Sequence, residues 1–148
     1  MRVLIQRVKY ASCKVNGKIT GEIEKGFLLF VGCSDRDDQE VIAKMSSKAS
    51  SLRIFEDAQG KMNCSLQDVG GKILSISQFT LYADCRKGRR PSFVEAAKGD
   101  VAIHLYDAFN EQLRKLGFHV ETGIFGADMK IELLNDGPVT IWLDSDTL

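Results

Sequence analysis

A Gly-Pro pair near the C-terminal end, Gly137-Pro138, limits the possible folds of this chain more than any other two residues. It sits in the stretch Asn135-Asp136-Gly137-Pro138-Val139-Thr140. Ile131, Leu133 and Leu134 precede that stretch, and Val139, Ile141, Trp142 and Leu143 close it, all with strand character. Proline lacks an N–H donor and holds φ near one value, so it cannot occupy a central ladder position. The bond before it is the only kind that becomes cis at modest cost, about 0.5–1 kcal/mol. Glycine ahead of it tolerates φ values closed to other residues. On these grounds alone the stretch reads as a hairpin turn between two strands.

The rest of the chain alternates between strand and helix periods. Residues 2–10 read as a strand with Val3, Ile5 and Arg7 on one face and Leu4, Gln6 and Val8 on the other. A cation among apolar neighbours is unusual, and an edge-strand charge is the plain account of Arg7. Asn16-Gly17 between Val15 and Lys18 is the strongest hairpin signal, because a two-residue type I′ turn needs φ > 0 twice. Gly26 opens the run Phe27 to Val31, which reads as a central strand buried on both faces. Asp37 with Glu40 resembles a capping box for a helix over 38–52, whose stripe is Val41, Ile42, Met45, Ala49 and Leu52. Residues 57–60 form a loop between short strands, and 72–78 alternate as a strand, with Ile73, Ser75 and Ser77 on one side and Leu74, Ile76 and Gln78 on the other. Asp100 is the expected cap of a second helix, with Val101, Leu105, Ala108, Phe109, Leu113 and Leu116 inward and Gly117 as its stop. Strands resume at 119–123, 130–135 and 139–143. The expectation is one α+β domain over 1–148: a mainly antiparallel, barrel-like sheet with two helices packed on one side.

Twenty cations balance twenty acids, which argues against a large phosphate footprint but leaves room for a local contact with an RNA end. The one dense basic stretch, Arg86 to Arg90, reads as a solvated loop or as a phosphate contact. The start of the chain lacks a signal-peptide pattern, and the longest apolar run is too short for a bilayer. Cys13, Cys33, Cys64 and Cys85 are scattered, so reduced thiols and a cytoplasmic location are expected, with no metal site and no cofactor. His104 and His119 are far apart; His104 reads as a surface residue.

Recognisable nucleophile elbows, phosphate loops and metalloprotease motifs are absent. Ser77-Gln78-Phe79-Thr80-Leu81, at the end of a strand, offers two hydroxyls, an amide and main-chain N–H groups in five residues. Such a set can hold and polarise a carbonyl; it can also be an ordinary strand end.

Residues 77–81 and 135–140 together resemble the paired signature of the D-aminoacyl-tRNA deacylases, also called D-tyrosyl-tRNA deacylases. Met1 to Val8, Gly88 to Phe93 and Phe125 to Met129 agree, so the resemblance runs over essentially the whole chain. It implies a homodimeric hydrolase that cleaves the ester of D-aminoacyl-tRNA, and of glycyl-tRNA mischarged on tRNA(Ala), as proofreading of translation. It implies a cis Gly137-Pro138 bond that reaches the partner's active site and faces Ser77, Gln78, Phe79 and Thr80 there. Selection would work by exclusion. Two carbonyls hold the substrate's ammonium group, and an L side chain is driven into main-chain atoms. Arg7 would hydrogen-bond near the Gly137-Pro138 peptide. Thr80 has no evident base, so the terminal 2′-hydroxyl of the RNA would assist. Phe125 and Met129 would contact adenine or the pocket wall, and core packing accounts for both equally well. An RNA- or DNA-binding module resting on residues 86–90, and a structural dimer with an incidental Gly-Pro turn, are the rival readings.

Overall fold

The computed structural model describes all of residues 1–148. Its spine is one long strand, β1 (Arg2–Val15). The Asn16-Gly17 turn, with φ of 49° and 75°, returns the chain into β2 (Lys18–Ile23), as the hairpin signal requires. β3 (Gly26–Gly32) then pairs with residues 2–8 of β1, while β2 pairs with 11–15. The opposite edge of β1 is covered along nearly its whole length by β8 (Lys130–Asp144). β1 is therefore central, and the edge-strand account of Arg7 does not hold.

β6 (Lys72–Ser77) lies parallel to β3, and β7 (Val120–Thr122) parallel to β6. The sheet is thus mainly antiparallel, as expected, with β3, β6 and β7 forming a parallel portion at one side. Parallel neighbours need long crossovers, and these carry the helices. α1 (Gln39–Ser51) and a small ribbon of β4 (Phe55–Glu56) and β5 (Met62–Cys64) lie between β3 and β6. α2 (Gly99–Lys115) lies between β6 and β7. β6 alternates as its sequence suggests, with Ile73 on the helix side and Leu74 and Ile76 on the barrel side, and is buried on both faces because it sits inside the sheet. β2 curls against β6 and β7, so the sheet nearly closes into a barrel. Gly21 permits that approach: a Cβ there would lie 2.7 Å from the Thr122 carbonyl oxygen.

Two cores result. Val3, Ile5, Phe27, Leu29, Val31 and Ile73 face the helices and join Ile42, Met45, Ala49, Phe109 and Leu113 in a cluster of 21 buried residues. Phe27 stacks on Phe55 at 5.3 Å. Val8, Ala11, Cys13, Ile23, Leu28, Leu74 and Ile76 fill the barrel side, closed by Ile131 and Leu133. Each such aliphatic or aromatic side chain contributes about 1.5–3 kcal/mol when fully buried.

The helix ends differ from expectation by one or two residues. Asp38, not Asp37, caps α1, accepting from the Val41 N–H at 2.9 Å. Asp37 instead accepts from the Ser34 N–H at 2.8 Å and pairs with the N-terminal ammonium. Lys98 occupies the N-cap of α2 with no side-chain cap, and Asp100 lies in the first turn. The buried stripe of α2 is Ala102, Tyr106, Phe109, Asn110 and Leu113, while Val101 and Leu116 are exposed. Tyr106 and Asn110 carry polar groups, which shifted the apolar pattern by one position. No helix is long and apolar enough to cross a membrane.

The stretch 135–140 is no hairpin turn. β8 runs straight through it, and the added residues form a bulge. Gln6 pairs with Thr140 and Val8 with Asn135, so Arg7 alone faces Asp136, Gly137, Pro138 and Val139. A bulge leaves ladder positions unpaired, which is how a proline fits within a strand that is otherwise paired.

Candidate active site

β6 delivers Ser77 opposite Val31, and the Gln78 N–H continues the ladder to the Val31 carbonyl at 2.8 Å. A single 3-10 turn, Phe79–Tyr82, starts immediately. The first N–H groups of such a turn, those of Phe79 and Thr80, have no partner within it. The Gln78 amide donates to the Thr80 hydroxyl at 2.5 Å.

This strand end forms one wall of a cleft of about 520 Å³. Ser77, Gln78 and Phe79 line it, as do Phe125 and Met129 from the connection between β7 and β8. Ala97, Lys98, Gly99, Ala102 and Tyr106 from the start of α2 form the facing wall, and Val31, Cys33 and Ile76 also line the cleft. Phe79 is 54% exposed and meets Phe93 edge-on at 4.9 Å. Tyr106 lies 6.1 Å from Phe125 and donates to the Ser75 carbonyl at 2.8 Å. Burial raises the Tyr106 pKa above its ordinary value, so the hydroxyl remains a donor. The first turn of α2, uncapped by any side chain, opens here and carries Asp100.

The cleft wall offers little in the way of a conventional nucleophile. Burial, reinforced by the Asp37 carboxylate, pushes the Cys33 thiol up to about 12, so it is not a thiolate near neutrality. Neither histidine lines the cleft. The Asp128 carboxylate is exposed and held by Lys130 at 2.9 Å. What the wall does offer is donors: the Gln78 amide, the Ser77 hydroxyl and main-chain N–H groups.

The remaining predicted residues stand elsewhere in the chain. Thr80 is exposed and outside the cleft lining. Gly137 and Pro138 are exposed on β8, and neither lines the cleft of its own chain. The bond between them is cis. Gly137 has φ +128°, and a Cβ on it would lie 2.9 Å from Arg7 Nη2 and 2.8 Å from Val139 Cγ2, so only glycine fits without strain.

Beneath this bulge lies Arg7, only 6% exposed. Its Nε donates to the Asp136 carbonyl at 3.0 Å and its Nη1 to the Ile54 carbonyl at 2.5 Å. The Asp136 carboxylate lies 3.7 Å from Arg7 and 3.4 Å from Lys9. Asn135 spans the base of the bulge, its amide donating to the Arg7 carbonyl at 3.0 Å and the Val139 carbonyl at 2.9 Å. The contribution of Asn135 and of the 97–106 wall was not foreseen. The buried tyrosine of α2 was a signal for the latter.

A strand-end donor cluster near a helix start, with a glycine-dependent bulge elsewhere on the sheet, is a site suited to binding a carbonyl rather than to nucleophilic attack by a side chain. The family model for D-Tyr-tRNA(Tyr) deacylase matches residues 4–144, and the chain belongs to that family. It is 57% identical over 145 residues to a D-aminoacyl-tRNA deacylase of Geobacillus sp. (strain WCH70), covering 98% of this chain and 95% of that one. It is 55% identical to a D-aminoacyl-tRNA deacylase of Thermus aquaticus over the same shares. A solved structure described as c-Myc DNA Unwinding Element Binding Protein superposes with a TM-score of 0.92 at 39% identity, covering 97% of this chain and 98% of that one.

Proposed function

We propose that this chain hydrolyses the ester joining a D-amino acid to the 3′ end of tRNA, releasing the free amino acid and tRNA. The observation that carries the reading is the cleft at the end of β6. It presents hydrogen-bond donors from Ser77, Gln78 and Phe79 while its one cysteine is held neutral by burial. Donors aimed at a carbonyl stabilise the oxyanion of an acyl-transfer intermediate, an effect worth about 3–4 kcal/mol for one well-placed group. With Thr80 accepting from Gln78 and lacking a base, the 2′-hydroxyl of the terminal adenosine is the better-placed assistant. Phe125 and Met129 supply an apolar wall for the terminal nucleoside.

The stereochemical filter lies in the bulge of β8. Its exposure outside the cleft of its own chain supports an arrangement in which Gly137 and Pro138 enter the cleft of a second copy. Main-chain carbonyls there would bind the α-ammonium, and Arg7 would fix their direction through the Asp136 carbonyl. With ammonium and ester both held, an L side chain meets backbone and a D side chain points outward. Glycine, with no side chain, passes, so glycyl-tRNA mischarged on tRNA(Ala) is also a substrate. The role is proofreading of aminoacyl-tRNA in the cytoplasm.

The test is purified protein with D- and L-tyrosyl-tRNA side by side. Loss of the D-ester alone is the expected result. Equal cleavage of both would contradict selection by exclusion.

A further inference from the structure

The cleft accounts for the end of the RNA and leaves the basic loop beyond it unused. A volume of about 520 Å³ holds a nucleoside and an aminoacyl group, so the remaining phosphodiesters must leave across the rim. The segment that follows the 3-10 turn packs beside the cleft wall, through Phe93 against Phe79. Asp84 and Ser92 bridge each other, N–H to carbonyl, at 2.8 and 2.9 Å, which ties off residues 85–91 as a closed loop. Phe93, one residue past the bridge, packs on the cleft-lining Phe79. The loop is therefore anchored to the cleft wall itself. Arg90 lies three residues from Phe93, within about 11 Å along an extended chain.

The cations of this loop are not equivalent. Arg86 folds back on Asp84, with Nε to Oδ1 at 2.9 Å and Nη2 to Oδ2 at 2.7 Å. Its hydrogen bonds lower the Asp84 carboxyl to about 2, so the pair persists through the neutral range. Arg86 serves as a brace. Lys87, Arg89 and Arg90 are exposed and take part in no ion pair. Lys98, on the cleft lining, is likewise exposed and free of an acidic partner. Between Cys85 and Lys98 there are five cations and one acid, Glu95, which sits 3.8 Å from Arg36. In a chain with no net charge, this concentrates positive charge in the segment that runs from beside the cleft wall to its lining residue Lys98.

The geometry points to the loop 85–91 as the surface that grips the phosphate backbone of the RNA leaving the cleft, with Lys87, Arg89 and Arg90 as the contacts. The inference rests on the proposed reaction and adds a binding surface to it. Such contacts carry affinity and register and leave chemistry at the ester unchanged.

The variant Lys87→Ala/Arg89→Ala/Arg90→Ala tests it, in full D-tyrosyl-tRNA kinetics with salt varied from about 50 to about 200 mM. All three positions are exposed, so folding is not at risk. The expected result is a KM raised about tenfold or more at the lower salt, kcat at saturation retained, and a log–log salt dependence flatter by about two to three. The charge-preserving variant Arg89→Lys/Arg90→Lys should recover most of the loss. An unchanged KM and salt slope overturns the inference while leaving the deacylase reading intact. So does a loss confined to kcat, which would put the loop in the reacting site. Wild-type protein inactive on D-tyrosyl-tRNA would remove both.

Discussion

Arg7 is the residue that ties the fold to the proposed filter. It is a buried cation whose guanidinium satisfies two carbonyls from different parts of the chain, Asp136 and Ile54. Hydrogen bonds from a charged group contribute about 1.5–3 kcal/mol each. Offset in part by the desolvation of the buried guanidinium, these bonds predict that Arg7→Ala lowers unfolding stability by about 2–4 kcal/mol in urea titrations. That leaves a domain of ordinary stability folded. D-tyrosyl-tRNA hydrolysis should fall with it, and unchanged kinetics would dismiss Arg7 as an organiser of the filter. Thr80 makes the opposite case. It is exposed, outside the cleft lining, and its hydroxyl already receives the Gln78 amide. Thr80→Ala should retain most of its turnover, within about tenfold, whereas a tRNA ending in 2′-deoxyadenosine should be nearly inert. Full activity on the deoxy substrate would end the RNA-assisted account.

Among the elements, what was legible depended on how local its cause is. The Asn16-Gly17 turn needs only two residues able to adopt positive φ, and it stands where its sequence puts it. β3 is equally plain, since burial on both faces leaves a continuous apolar run from Phe27 to Val31. The cap of α1 was displaced because several acids compete near its start and only packing chooses between them, and that of α2 because its helix starts ahead of Asp100, from an N-cap residue, Lys98, that makes no side-chain cap at all. Tyr106 escaped notice as a cleft residue because its hydroxyl partner, the Ser75 carbonyl, is 31 positions away in sequence. The bulge of β8 was read as a turn for the same reason: proline announces a break in the ladder, but only β1 decides whether the strand resumes. Asn135, which ties the bulge at its base, gives the element-scale prediction. Asn135→Ala removes donors to the Arg7 and Val139 carbonyls and should cost about 1–3 kcal/mol. Faster amide hydrogen exchange around 135–140 than elsewhere in β8 would report the loosening; uniform protection would count against a stapling role.

For the whole molecule, the two halves of the proposed site lie apart in one chain: the cleft at the end of β6 and the exposed bulge of β8. If function requires two copies, the defects must complement. A subunit carrying Gly137→Ala keeps its cleft, and one carrying Gln78→Ala keeps its bulge. Each homodimer should be inactive. After co-refolding, mixed dimers contain one intact composite site, so activity should return to roughly a quarter of wild type. No recovery on mixing, with mixed dimers verified by mass, would mean that each chain works alone.

The bulge also settles which core each part of β8 serves. Ile131 and Leu133, before it, pack into the barrel, whereas Val139, Ile141 and Leu143, after it, pack against the helical layer. All five are odd-numbered, and an uninterrupted strand would send them to one side. The odd count of added residues is what lets one strand change sides midway. Gly137-Pro138 therefore sits at a parity switch in the architecture. Removing a single residue from 136–139 would return Val139 and its successors to the wrong face. A lineage can vary the side chains around this bulge, but it cannot shorten the bulge by one residue without unmaking the sheet.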